Sequence, residues 1–236
     1  MRSVFALIHS PLVGPYSWTP VAGTLRRRGL DVVVPSLEDK QGSGAPYWKQ
    51  HATAAVCALQ IIPAHRRMIL VGHSAAGPLL PAIGRFAANR MAGYLFVDAG
   101  IPLDKASRLD LLALESIEFA ARFRQSLESG ERFPSWSHDD LHAIVTDDES
   151  RRDLLAELHP RSLEFFDEPI PVFAGWPDAP CGYLLLSSTY EVFAKRARRE
   201  GWKVREMRAS HFHMLTHPVE VADALIDMAE HMGISR

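Results

Sequence analysis

At 236 residues, with 47% hydrophobic and 23% charged side chains and a formal net charge of -2, the chain has the balance of a folded globular protein with room for one α/β domain and an insertion. The near-neutral charge gives no reason to expect nucleic acid or an anionic membrane as partner, and no apolar run approaches the roughly 20 residues of a membrane span. Cys57 and Cys181 lack metal-ligand spacing and favour a reduced, cytoplasmic setting, and none of the 11 histidines falls in an HExxH pattern, so no metal or other cofactor is called for.

Residues 3–8 are rich in β-branched and aromatic side chains and predict a strand, too short an apolar run for a signal-peptide core. It runs into His9-Ser10-Pro11-Leu12-Val13-Gly14-Pro15, where glycine and proline enforce a loop. Thr19 and Pro20 open a helix to about Arg28, closed by Gly29. A second strand over 31–35 is continuously apolar at Val32-Val33-Val34, as in a parallel sheet. A polar loop over 36–46 leads to a helix from Tyr47 to about Ile62.

The stretch on which function turns follows. Residues 67–72 predict a buried strand, Gly72-His73-Ser74-Ala75-Ala76-Gly77 a sharp turn, and 75–90 a helix. A serine hydroxyl is a poor nucleophile until a base takes its proton. A strained strand-to-helix turn exposes it and aims backbone N–H groups at a developing oxyanion. Gly72 and Ser74 fit the G-x-S-x-G pattern, whereas Ala76 stands at the last glycine and Gly77 follows one residue late. The bland reading of Ser74 is a helix N-cap.

Residues 92–97 predict a fourth strand, ending in Asp98. The alternation to this point argues a mostly parallel six-stranded sheet with helices on both faces, whose catalytic groups gather beyond the carboxyl ends of the strands. Residues 103–170 break the rhythm with expected helices over 105–129, 138–146, 148–158 and 161–166, a helical cap inserted after the fourth strand between core segments 1–102 and 171–236. Leu111, Leu112, Leu114, Ile117, Phe119 and Phe123 form an apolar face suited to line an acyl or aromatic pocket or simply to pack the cap onto the sheet. A strand over 182–187, a helix 190–200 closed by Gly201, a strand 203–207 and a last helix 218–232 complete the chain.

Three marks together resemble the α/β-hydrolase superfamily, in particular its small capped members such as plant methylesterases and hydroxynitrile lyases: His9-Ser10 followed by Trp18, the elbow Gly72-His73-Ser74, and His211-Phe212-His213-Met214-Leu215 ahead of Pro218. The resemblance implies Ser74 as nucleophile, His211 as general base with His213 a bystander, and a carboxylate between them in the chain that fixes the histidine tautomer. The usual acid position after the fifth strand reads Ser187-Ser188-Thr189-Tyr190, which has no carboxylate; Asp98 and Glu191 are the candidates. The oxyanion hole is expected from the Ala75 amide and a second donor in the His9 loop. Pro11, with no N–H, occupies that position, so Ser10 or Leu12 must substitute.

These residues point to a serine hydrolase, esterase-like, acting on a small or medium apolar ester or thioester through an acyl-enzyme on Ser74. The alternatives are a lyase, cyclase or acyltransferase using the same pocket, or a ligand-binding protein on a retired hydrolase scaffold. The partner is a small molecule, and a homodimer is compatible with the sequence.

Overall fold

A computed structural model describes residues 3–40 and 42–234; Met1, Arg2, Gln41, Ser235 and Arg236 lie outside it, so the expected loop over 36–46 is described except at Gln41. The apolar runs form strands β1 (Val4–Ile8), β2 (Val32–Val33), β3 (Met68–His73), β4 (Met91–Val97), β5 (Cys181–Leu185) and β6 (Lys203–Glu206). They make one sheet in the order β2-β1-β3-β4-β5-β6, with every neighbouring pair parallel.

Helices α1 (Thr19–Arg27), α2 (Tyr47–Leu59) and α3 (Leu80–Phe86) connect the first four strands. The segment between β4 and β5 carries α4 (Arg108–Ala113), α5 (Ile117–Glu128), α6 (Asp148–Ala156) and α7 (Leu163–Asp167). After β5 come α8 (Glu191–Arg199), the single turn α9 (His213–Thr216) and α10 (Pro218–His231). Side chains alternate across the sheet with period two, and both faces are covered. Phe5, Leu7, Ile69, Val71, Leu95 and Val97 pack with Val21 and Leu25 of α1 and Leu225 of α10. Val4, Ala6, Ile8, Leu70, Tyr94 and Phe96 pack on the other face with Leu59 of α2, Leu80 of α3 and Phe193 of α8.

Three expected helices differ. In place of one helix over 75–90 there is a 3-10 segment, Ser74–Leu79, followed by the short α3. Pro78 and Pro81 have no N–H to return to the preceding turn, so the α-helical ladder loses two rungs and cannot run from the elbow. The expected helix 105–129 is two: the Ser107 hydroxyl and Asp110 cap α4, and Ser116 caps α5 by accepting the Phe119 N–H, which starts a new helix at 117. The stretch 138–146 forms successive turns instead of a helix. The strand expected over 31–35 is hydrogen-bonded only at Val32–Val33.

The segment between β4 and β5 does not pack as one body. Leu141, Val145 and Leu154 join the core on the α1 and α10 side, whereas Leu109, Leu127, Phe165 and Phe166 gather with Leu12 in a separate cluster over the loop after β1.

Candidate active site

The register of the sheet assembles the site. Ile8 lies beside Gly72, Gly72 beside Phe96 and Val97 beside Leu184, so the residues that leave β1, β3, β4 and β5 emerge side by side at the carboxyl edge. Ser74 leaves β3 with φ 56° and Asp98 leaves β4 with φ 42°, both in the left-handed region that side chains other than glycine seldom adopt. The turn at Ser74 is held by close packing behind it. A Cβ on Gly77 would stand 2.2 Å from the Gly100 carbonyl oxygen, so the close approach that the pattern assigns to its last glycine is met one residue late, at Gly77. Ala75 is the second residue of the 3-10 turn, and its amide is one of those that helical geometry leaves without an intrahelical acceptor.

Asp98 is fully buried and gathers donors. The Leu186 N–H donates to its Oδ1 at 2.7 Å, the Ser187 N–H lies 3.0 Å from Oδ1, and the Ser187 hydroxyl donates to Oδ2 at 2.6 Å. His211 Nδ1 lies 3.0 Å from the same Oδ2. A carboxylate only accepts, so Nδ1 carries the proton and Nε2 is left as the basic nitrogen. Thus Ser187, at the position where the resemblance places an acid, instead donates to Asp98 at the end of β4. Glu191 is not brought into this group. It pairs with Lys195 on the exposed side of α8, 2.9 Å away. His213 pairs with Glu220 and stacks on His217.

Ser74 takes Tyr190 as its hydrogen-bond partner: the two hydroxyl oxygens are 3.2 Å apart. No direct hydrogen bond joins the described residues Ser74 and His211. The Tyr190 ring lies flat against the His211 imidazole, with centroids 5.1 Å apart at 1°. Burial raises the phenol well above its usual range, so Tyr190 stays protonated and able to donate. Tyr190 escaped the sequence reading, which searched 187–190 for a carboxylate and passed over a hydroxyl that the following helical turn swings inward.

Two histidines that flank the elbow serve as struts. His73 is fully buried; its Nε2 donates to the His211 carbonyl at 3.0 Å and so ties the histidine loop to β3. Burial, with His211 adding to it, holds its imidazole well below the ordinary value and therefore neutral. His9 donates from Nδ1 to the Ser10 carbonyl and accepts the Leu37 N–H at Nε2, and burial lowers it to about 4. Trp18 donates to the Ile8 carbonyl at 3.1 Å and meets His73 edge-on, which gives its place near the loop a packing reason.

The His9 loop is consumed by its own hydrogen bonds. The Leu12 N–H goes to the Ser10 hydroxyl oxygen at 3.3 Å and the Val13 N–H to the Ser10 carbonyl at 3.0 Å. The Ser10 hydroxyl accepts there and keeps its own proton to donate, and Ser10 faces the cavity. The Pro11 carbonyl accepts from Arg161 Nε and Nη2 at 3.4 and 3.2 Å, and Arg161 is bound in turn to Asp39, which accepts from His51. This buried chain joins residues more than a hundred positions apart and leaves no local sequence pattern.

A cavity of about 560 Å³ opens above Ser74. The segment between β4 and β5 lines it through Leu111, Leu112, Phe119, Phe123, Phe133 and Trp136, and Leu114 and Ile117, expected on the same face, do not line it. The charged residues Arg108, Glu115, Glu131 and Arg132 also line it. Loss of solvation, reinforced by the charge of Asp98, pushes the Glu115 carboxyl up to about 7.

Solved structures share the architecture. An extracellular α/β-hydrolase from a Paenibacillus species, described as structurally and functionally homologous to tobacco salicylic acid binding protein 2, superposes with TM-score 0.77 at 18% identity, covering 96% of this chain and 99% of that one. Tomato methylketone synthase I complexed with 2-tridecanone follows at TM-score 0.75 and 15% identity, covering 98% and 99%. Polyneuridine aldehyde esterase superposes at TM-score 0.73 and 16% identity, covering 97% and 100%. At such identities the likeness establishes the fold and no more. No curated protein matches the sequence. The model of the alpha/beta hydrolase family, however, matches residues 5–224. Since that match spans nearly the whole chain, and the sheet order and the elbow agree with it, the protein belongs to the α/β-hydrolase family.

Proposed function

We propose that the protein is a serine hydrolase that cleaves a small or medium apolar carboxylic ester or thioester through an acyl-enzyme on Ser74. The observation that carries this reading is Ser74 itself, held at φ 56° in the lining of an apolar cavity, with the His211–Asp98 pair beside it. In the proposed reaction Ser74 Oγ attacks the acyl carbon as its proton passes to His211 Nε2. Asp98 holds the opposite nitrogen and stabilises the imidazolium. The oxyanion is met by the Ala75 amide and the Ser10 hydroxyl, the latter replacing the amide that Pro11 lacks. His211 then protonates the leaving alcohol or thiol, and water, activated by the same nitrogen, releases the acid. In this reading residues 103–170 act as the cap that gives the pocket its shape, over a core of 1–102 and 171–236. Free cysteines at 57 and 181 support a cytoplasmic setting.

A second reading keeps the pocket and changes the reaction to lyase, cyclase or acyl-transfer chemistry. It is favoured by the Ser74–Tyr190 hydrogen bond, which places a neutral phenol donor at the reacting centre in place of the histidine.

The test is intact mass and peptide mapping after treatment with a fluorophosphonate. One adduct on Ser74, absent from His211→Ala, is expected. A folded protein that takes no adduct would overturn the covalent mechanism and bring the second reading forward, and oxygen from labelled water in the product then separates hydrolysis from elimination.

A further inference from the structure

Pro11 has no N–H to offer an oxyanion, but its carbonyl is gripped from a distant segment. Arg161 lies between α6 and α7 and is 4% exposed. Its Nε and Nη2 donate to the Pro11 carbonyl at 3.4 and 3.2 Å, so one acceptor takes two nitrogens of the guanidinium. The guanidinium is fixed in turn by Asp39: Nη1 lies 3.0 Å from Oδ1 and Nη2 2.6 Å from Oδ2. His51 Nε2 stands 2.8 Å from the same Oδ2 and, since a carboxylate only accepts, it donates. A buried ion pair returns little net stability once desolvation is counted, so the better guide to its role is what it orients.

Two backbone contacts reinforce the grip. The His159 N–H donates to the Leu12 carbonyl at 3.0 Å, so residues 159 and 161 hold two successive carbonyls of the loop after β1. The Arg161 backbone also exchanges hydrogen bonds with Phe133 in both directions, at 2.8 and 3.0 Å, and Phe133 lines the cavity. The loop is thereby tied to the cavity wall.

The consequence follows from the geometry of the peptide group. The Pro11–Leu12 peptide is trans, so the Pro11 C=O and the Leu12 N–H lie in one plane and point opposite ways. Holding the oxygen on one side therefore aims the N–H to the other, where it meets Ser10 Oγ at 3.3 Å. A hydroxyl that accepts there still has its own proton to donate, and Ser10 lines the same cavity as Ser74.

We propose that Arg161 is a positioning residue for the second oxyanion donor: by holding the Pro11 carbonyl it turns the Leu12 N–H onto Ser10 Oγ and frees the Ser10 proton for the oxyanion. This rests on Ser74 being the reacting centre and on Ser10 as donor. Asp39 and His51 hold Arg161 in place, and none of the three touches the substrate.

The test is a double-mutant cycle on the rate of fluorophosphonate labelling of Ser74, read by intact mass. Ser10→Ala is expected to slow labelling about 100-fold, the usual loss for one oxyanion donor. Arg161→Lys keeps a cation for Asp39 but cannot set two donors on one carbonyl, and the displaced Ser10 hydroxyl should cost about tenfold. In the Ser10→Ala background the same change should cost nothing further, because the hydroxyl that Arg161 positions is gone. A role in packing alone would cost the same factor in both backgrounds, and that result, or a loss in neither, would overturn the proposal. Since Arg161→Lys disturbs a buried pair, the double variant Arg161→Met with Asp39→Asn, which removes both charges together, is run beside it with the same expectation. A second readout needs no turnover: exchange of the Leu12 amide proton, followed by nuclear magnetic resonance, should quicken about tenfold in both Arg161 variants while the amides of β3 keep the parent rate. Leu12 exchange unchanged in both variants overturns the proposal whether or not Ser74 reacts. A folded parent that takes no adduct sinks the covalent reading alone, and the exchange result then decides this one.

Discussion

Ser74 has a tyrosine on its oxygen, and in the proposed reaction this bears on rate. In any tetrahedral adduct the oxyanion and the leaving oxygen share a carbon with Ser74 Oγ, so a hydroxyl 3.2 Å from Oγ lies within reach of both. A phenol kept neutral by burial is an effective donor there. Tyr190→Phe is therefore expected to lower kcat about 10- to 100-fold with little change in KM, measured on whichever ester is turned over. Unchanged kcat would reduce Tyr190 to packing against His211. Glu115 gives a second test at this scale. Its folded carboxyl is raised from 4.5 to about 7, so between those values the folded protein keeps a proton that the unfolded chain has released. Stability accordingly falls as pH rises through that window and levels off above it. Glu115→Gln should remove that slope and raise the melting temperature at pH 8 relative to pH 5, as read by calorimetry.

At the scale of elements, the elbow and its helix show what local sequence conveys. Gly72, Ser74 and the apolar run before them announce the turn, and Pro78 and Pro81 stood in plain view as the reason that a long helix could not follow. Gly77 carries the packing that the turn requires. Gly77→Ala would drive a methyl into the Gly100 carbonyl, and backbone on both sides leaves little room to yield. A loss of about 1 to 3 kcal/mol is expected, or roughly 2 to 4 °C of melting temperature per kcal/mol in a chain this long. A variant as stable as the parent would show that the contact relaxes freely. Between β4 and β5, period alone could not separate α4 from α5. The break depends on Ser116 capping a new start, and a serine in a helical run has other uses.

At the scale of the molecule, neutral buried histidines govern acid tolerance. His9 and His51 are almost wholly buried, and burial lowers each from 6.5 to about 4. The unfolded chain takes up their protons first, so stability is lost as pH falls from 6.5 toward 4, by up to about 3 kcal/mol for each. His73 is lowered in the same direction. The melting temperature should therefore fall steeply across that window, in spite of the opposing gain from Glu115, and His51→Gln should reduce the fall. A flat profile between pH 6.5 and 4 would contradict the assignment. The His51–Asp39–Arg161 chain ends on the Pro11 carbonyl, within the loop whose neighbours Ser10 and Leu12 line the cavity with Ser74.

The sequence by itself determined the alternation of apolar strands and helices, the parallel sheet that follows from it, and the turn at Ser74, since each depends on residues within a few positions of one another. The order of groups at the carboxyl edge is legible for the same reason: strands of known direction bring their ends together whatever lies between. Only the tertiary structure decided that Asp98 meets His211 while Glu191 pairs with Lys195, and that Tyr190 lies on Ser74. Those outcomes turn on where side chains from distant segments meet and which donors remain once nearer acceptors are filled. Local spacing carries no information about either.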